Sequence, residues 1–212
     1  MANLSSDTNN LRFDLQIVAG WIDSGAKVLG LGCGNGDLLY YLKHRKNARV
    51  AGIDISEENV AYCIGRGLSV VKGDVMEEVE DYPDGTFDYV ICSQTLQQIY
   101  NPGTLIQAML KIGNKCVVSF PNFSHWNNRL QLLLKGQAPV SEQLPYQWHD
   151  TPNIRVITLK DFRQFADENG CRIIKEAAIN SHEEYRSGRI IHFLPNLRAT
   201  YGIYLVGSQR LS

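Results

Sequence analysis

No stretch of the 212-residue sequence supplies the roughly 20 consecutive apolar residues that a membrane-spanning helix needs. Neither charge dominates: 21 Lys and Arg stand against 22 Asp and Glu, a formal net charge of −1. Proteins that grip nucleic acid through its phosphates carry a basic excess, so that class of partner is not expected. The five cysteines, Cys33, Cys63, Cys92, Cys116 and Cys171, form no C-x-x-C pair. Most sit among Val, Ile, Leu or Gly, where a thiol acts as a small core side chain. That argues against a cysteine zinc site and for a reducing, cytoplasmic setting. His44, His182 and His192 lack metal-ligand neighbours, and no metal is expected. The first ten residues have neither the basic start nor the apolar core of a signal peptide. They read as a flexible tail, 1–10, before one domain over 11–212. What is present is a globular balance, 44% hydrophobic and 20% charged residues.

Two periodicities alternate along that domain. Phe13, Ile17 and Trp21 recur at fourfold spacing and predict a helix from Leu11 to Ile22. Short apolar runs predict strands at 27–31, Arg49 to Asp54, Ser69 to Lys72, Phe87 to Ser93 and Lys115 to Phe120. Helical patterns separate them at about 37–46, 57–66 and 102–112, the last with Pro102 in its first turn. Strand and helix alternating in this way predict an α/β fold, a mostly parallel sheet with helices on both faces. From about 121 to 155 the rhythm breaks. That insertion holds one helix, about Ser124 to Lys135, and the proline-containing stretch Pro139 to Asn153. Regular order returns with a helix at 159–169 and strands at 172–179 and 200–206.

In such sheets ligands sit where the C-terminal strand ends splay at the switch in strand order. The first strand runs into Gly32-Cys33-Gly34-Asn35-Gly36-Asp37. A dinucleotide fingerprint would need a third glycine at position 37, where Asp37 would repel a pyrophosphate. No Gly-Lys-Ser/Thr follows, so a Walker phosphate loop is excluded too. The G-x-G-x-G spacing suits a nucleoside with a small zwitterionic tail, S-adenosylmethionine, whose carboxylate can meet the loop amides. Asp54, 18 residues after Gly36, closes the second strand where it can accept from both ribose hydroxyls. Gly73-Asp74-Val75 follows the third strand, placing an acid near the adenine amino group, and Ser93-Gln94 closes the fourth. The expected cofactor set is Gly32, Cys33, Gly34, Gly36, Asp54, Ile55, Gly73, Asp74, Val75, Ser93 and Gln94. Taken singly, each member has a plainer role: the glycines as a turn, Asp54 or Ser56 as the cap of the next helix, Asp74 as a turn residue.

These residues resemble the class I S-adenosylmethionine-dependent methyltransferases. Val28-Leu29-Gly30-Leu31-Gly32-Cys33-Gly34-Asn35-Gly36 is similar to that family's first motif, and Phe87-Asp88-Tyr89-Val90-Ile91 to its fourth-strand motif. A narrower likeness lies in Ser93-Gln94-Thr95-Leu96-Gln97, in the run from Ser119 to Trp126 and in the run from Leu144 to Asn153, which look like the MetW family of methionine biosynthesis. The resemblance implies a Rossmann-like, seven-stranded sheet with its last strand antiparallel, a cytoplasmic location and S-adenosylmethionine as cofactor, with S-adenosylhomocysteine as its product. It also implies a partnership with homoserine O-acetyltransferase (MetX). One position departs: the first motif normally begins with Asp or Glu, and Gly30 stands there. That carboxylate usually helps hold the methionine end, so weakened binding is expected.

The irregular interval supplies the candidates for proton transfer to or from an acceptor: His125, Tyr146 and His149, with Asp150 beside them. The two histidines have structural alternatives, His125 at the start of the next helix and His149 as an aromatic partner of Trp148. Trp126, Leu130, Leu133 and Leu134 give that helix an apolar side, extended by Leu132, which serves either as a lid or as a surface for another protein. Arg186, Arg189 and Arg198 punctuate the late loop, where they can hold an anion or simply be solvated.

Overall fold

The computed structural model describes residues 11–181 and 187–208. The N-terminal tail, His182 and Arg186 lie outside them. Five short strands follow in chain order: β1 (Lys27–Leu31), β2 (Arg49–Asp54), β3 (Ser69–Lys72), β4 (Phe87–Ser93) and β5 (Gly113–Pro121). All pair in parallel. Between them run α2 (Asp37–Arg45), α3 (Glu57–Gly65), α4 (Val75–Glu78) and α5 (Pro102–Ile112), with α1 (Phe13–Trp21) ahead of the sheet. The later elements are α6 (Trp126–Lys135), α7 (Leu159–Glu168), β6 (Cys171–Ser181), β7 (Gly188–Ile190), α8 (Pro195–Arg198) and β8 (Tyr201–Ser208). They complete an eight-stranded sheet in the order β3-β2-β1-β4-β5-β8-β6-β7.

Two strands run against the rest. β8 is antiparallel to both β5 and β6, and β7 is antiparallel to β6. The last strand is therefore reversed as the family resemblance implies, but the sheet has eight strands rather than seven. The extra one, the edge strand β7, is three residues long, too short for a period of two to register.

Strand side chains alternate between two cores. Leu29, Leu31, Val90, Cys92, Val118, Phe120, Tyr204 and Val206 face one side with α5 and α7. Val28, Tyr89, Ile91, Val117, Ile203 and Leu205 face the other with α1, α2 and α3. Burial on both faces is why these strands read as continuous apolar runs. Caps set the helix starts: Ser56 accepts from Asn59 N at 3.3 Å, Asn101 from Thr104 N at 3.4 Å and Thr158 from Asp161 N at 3.1 Å. Strand order reverses between β1 and β4, which opens a crevice at their C-terminal ends.

Candidate functional site

A cavity of about 690 Å³ occupies that crevice. The loop from β1 to α2 forms one wall. Its backbone is fixed by Cys33 N donating to Ile53 O at 3.1 Å and Gly36 N to Cys33 O at 3.0 Å. Gly34 lies at φ +55° with nothing near the position of a Cβ, so a ligand can approach its backbone closely. Gly36 serves a different purpose. It caps α2 at φ +70°, and a Cβ there would come within 2.6 Å of Leu68 and 2.7 Å of Cys63. It does not line the cavity, and neither does Gly73, whose Cβ would run into Glu78. Gly32, Cys33, Gly34, Asp54, Ile55, Asp74, Val75, Ser93 and Gln94 do line it.

The two acids differ. Asp54 is 5% exposed; its Oδ2 accepts from Gly34 N at 2.6 Å, and its Oδ1 accepts from Ser56 N and Asn59 Nδ2, each at 3.0 Å. A carboxylate offers about four acceptor positions, so with these three filled about one remains for a ligand. Asp54 thus holds the glycine loop to the start of α3, and taking both ribose hydroxyls would displace a loop donor. Asp74 is exposed and spends one oxygen as the cap of α4, accepting from Met76 N at 2.7 Å. Asp37, in the first turn of α2, pairs with Arg66 at 2.6 Å.

At the end of β4, the Ser93 and Ser119 hydroxyls share a hydrogen bond of 2.8 Å. Gln94 holds a positive φ of 54°, unusual for a residue with a side chain. Its N donates to Ser119 O at 2.9 Å and its Nε2 to Asp14 Oδ2 at 2.8 Å. Asp14, on α1, also binds Arg12, and Arg12 is the one basic side chain among the described residues that line the cavity. Burial, with Cys63 and Asp54 nearby, pushes the Cys33 thiol up to about 12, so that thiol is neutral. Arg12 and Asn59, which also line the cavity, were not singled out in the sequence, and Thr95 only within the run Ser93 to Gln97. The available signal was Asp14, an acid on the stripe shared with Val18 and Ile22.

His125, Tyr146 and His149 do not line the cavity. His125 precedes α6, and burial lowers its pKa from 6.5. Tyr146 and His149 are exposed, and His149 packs edge-on against Trp148 at 5.4 Å. Asp150, Arg189, Arg198 and His192 are exposed, and His44 stacks on Tyr40. No group of His, Cys, Asp and Glu among the described residues could hold a metal ion. The helix α6 turns its polar side inward, with Asn128 3% exposed, while Leu133 and Leu134 are 81% and 72% exposed.

The fold is that of the class I S-adenosylmethionine-dependent methyltransferases. It is similar to a SAM-dependent methyltransferase from Archaeoglobus fulgidus, with a TM-score of 0.67 at 17% identity over 91% of this chain and 90% of that one. The sequence places it more narrowly: the family model of methionine biosynthesis protein MetW matches residues 12–206, and the chain belongs to that family. A relative from Rhodopirellula baltica, the bifunctional methionine biosynthesis protein MetXA/MetW, is 33% identical over 162 residues, 72% of this chain. The ubiquinone biosynthesis O-methyltransferase of Dechloromonas aromatica is 32% identical over 158 residues, 68% of this chain. The matches span 26% of the first relative and 64% of the second, under two thirds of each. No helix among the described residues is long and apolar enough to cross a membrane.

Proposed function

We propose that the chain binds S-adenosylmethionine and S-adenosylhomocysteine in this cavity and serves methionine biosynthesis in the cytoplasm, together with homoserine O-acetyltransferase (MetX). The observation that carries the reading is the convergence of Gly34, Asp54 and Asp74, from neighbouring strand ends, on one cavity of about 690 Å³. That volume lies in the range that encloses a nucleoside-sized ligand, about 300–1,000 Å³.

When bound, the cofactor supplies an electrophilic methyl group on a sulfonium centre. The loop at the start of α2 and the Arg12 guanidinium favour its carboxylate. Asp54 retains about one acceptor position for a ribose hydroxyl, and the outer oxygen of Asp74 can accept from the adenine amino group. Ile55 and Val75 form the apolar wall beside them. Three lining acids, Asp37, Asp54 and Asp74, favour a cationic ligand over a pyrophosphate. Calorimetry with S-adenosylmethionine, S-adenosylhomocysteine and NAD tests this. The two adenosyl ligands should bind and NAD should not; tighter binding of NAD would overturn the reading.

The partnership draws on the MetXA/MetW name of the Rhodopirellula relative and on the outward leucines of α6. Co-expression with homoserine O-acetyltransferase should yield a complex or change the acetylation rate. Neither effect at any cofactor concentration would remove this part of the proposal.

A second reading is methyl transfer to a small molecule, favoured by the similarity to a ubiquinone biosynthesis O-methyltransferase. His125 would then be the first residue to test as proton acceptor, since burial keeps its ring neutral at pH 7, with Tyr146 and His149 next. Labelled cofactor incubated with cell extract should label an acceptor, and His125→Gln should slow that labelling.

A further inference from the structure

We infer that Asp14 is a positioning residue that aims the Arg12 guanidinium at the carboxylate of the bound ligand, so that the start of α1 distinguishes ligands with an amino-acid tail from those without one. The inference rests on the adenosyl-ligand reading above.

Asp14 occupies an expensive place for a carboxylate. It is 3% exposed and shares a stripe of α1 with Val18 and Ile22, which are 0% and 1% exposed. A charge in such a position is tolerated only with partners. Its partners are Arg12 Nε, donating to Oδ1 at 3.2 Å, Arg12 Nη2, donating to Oδ2 at 3.0 Å, and Gln94 Nε2, donating to Oδ2 at 2.8 Å. Both partners line the cavity, one from the start of α1 and one from the end of β4.

The two-point contact has a directional consequence. A guanidinium carries five N–H groups in one plane, so binding it through Nε and Nη2 fixes that plane and leaves three donors for other acceptors. Arg12 remains 41% exposed. The side chain is thus anchored at its inner edge and presented at its outer one. Gln94 is held by the same carboxylate in a backbone conformation that residues with a Cβ seldom adopt. Asp14 therefore couples the cavity's one lining cation, among the described residues, to the β4 edge.

The charge of the lining says why this matters. Asp37, Asp54 and Asp74 all repel a ligand carboxylate, and Gly30 adds no carboxylate to help hold the ammonium beside it. The amino-acid end then depends on Arg12 and the loop amides. A nucleoside such as 5′-methylthioadenosine has no carboxylate and should be indifferent to Arg12.

The test is calorimetry of S-adenosylhomocysteine and 5′-methylthioadenosine with the unaltered chain, Arg12→Gln, Asp14→Asn and the double variant. Arg12→Gln and Asp14→Asn should each weaken S-adenosylhomocysteine about tenfold, the loss of one charge-assisted contact. Methylthioadenosine should stay within about twofold, and the double variant should be no weaker than Arg12→Gln alone. Equal weakening of both ligands by Asp14→Asn, additive losses in the double variant, or no loss in Arg12→Gln would overturn the inference. Arg12 is partly exposed, so its variant stays informative even if Asp14→Asn folds poorly. If neither ligand binds the unaltered chain, the adenosyl-ligand reading itself fails, an outcome distinct from these.

Discussion

Asp54 closes β2, Asp74 follows the neighbouring parallel strand β3, and the two look alike in the sequence, yet the fold uses them differently. Asp54 is buried and shared among Gly34, Ser56 and Asn59, so most of its acceptor capacity goes to holding the glycine loop. Asp74 is exposed, caps a four-residue helix through one bond and keeps its other oxygen open. One acid builds the wall of the cavity; the other stands in it. An acid at a strand end thus divides its acceptor capacity between the protein's own donors and the cavity according to its burial and the donors around it.

That contrast can be broken by substitution. Asp54→Ala should have the largest effect, because it leaves the donors of Gly34, Ser56 and Asn59 without their acceptor. A stability loss of about 2–4 kcal/mol in urea unfolding is expected, with adenosyl-ligand binding lost by calorimetry. Asp74→Ala should cost about 1 kcal/mol, the value of a helix cap, and about tenfold in affinity. Similar stability losses in the two variants would erase the distinction. Gly30→Asp should tighten S-adenosylhomocysteine binding by up to about tenfold, since a Cβ at that position stands 3.3 Å from Leu39 and 3.4 Å from Cys33, within what small shifts absorb. Unchanged or weaker binding would show that the glycine is compensated elsewhere.

The smallest effect concerns His125. Burial lowers its folded pKa below 6.5, so as pH falls the unfolded chain binds the proton first. Native stability should therefore decline as pH drops through about 6.5 toward the folded value. In His125→Gln that part of the slope should vanish, as urea midpoints across this window will show.

Much of the sheet was legible because its strands are short apolar runs bounded by turn residues. The limits of β2, β3 and β4 and of α5 agree with those read from the sequence. The helices α4 and α8, four residues each, carry too little pattern to be seen. In α1 the spacing of Phe13, Ile17 and Trp21, with Val18 and Ile22 beside them, located the helix, but not the buried Asp14 that shares the inner stripe with Val18 and Ile22. Counting only apolar residues hides a buried charge. The opposite limit shows in α6, where the sequence reveals an apolar side but not that it faces outward. Likewise Gly32, Gly34 and Gly36 are equivalent as a spacing, whereas the fold opens Gly34 to the cavity and packs Gly36 against Cys63 and Leu68. Periodicity reports the element; orientation comes from tertiary packing.

The most direct measurement is a crystal structure of the chain with S-adenosylhomocysteine. The account predicts the ligand in the crevice between β1 and β4, its ribose at Asp54, its base beside Asp74 and its carboxylate facing Arg12. A ligand bound elsewhere, or a crevice filled by side chains in the complex, would contradict it.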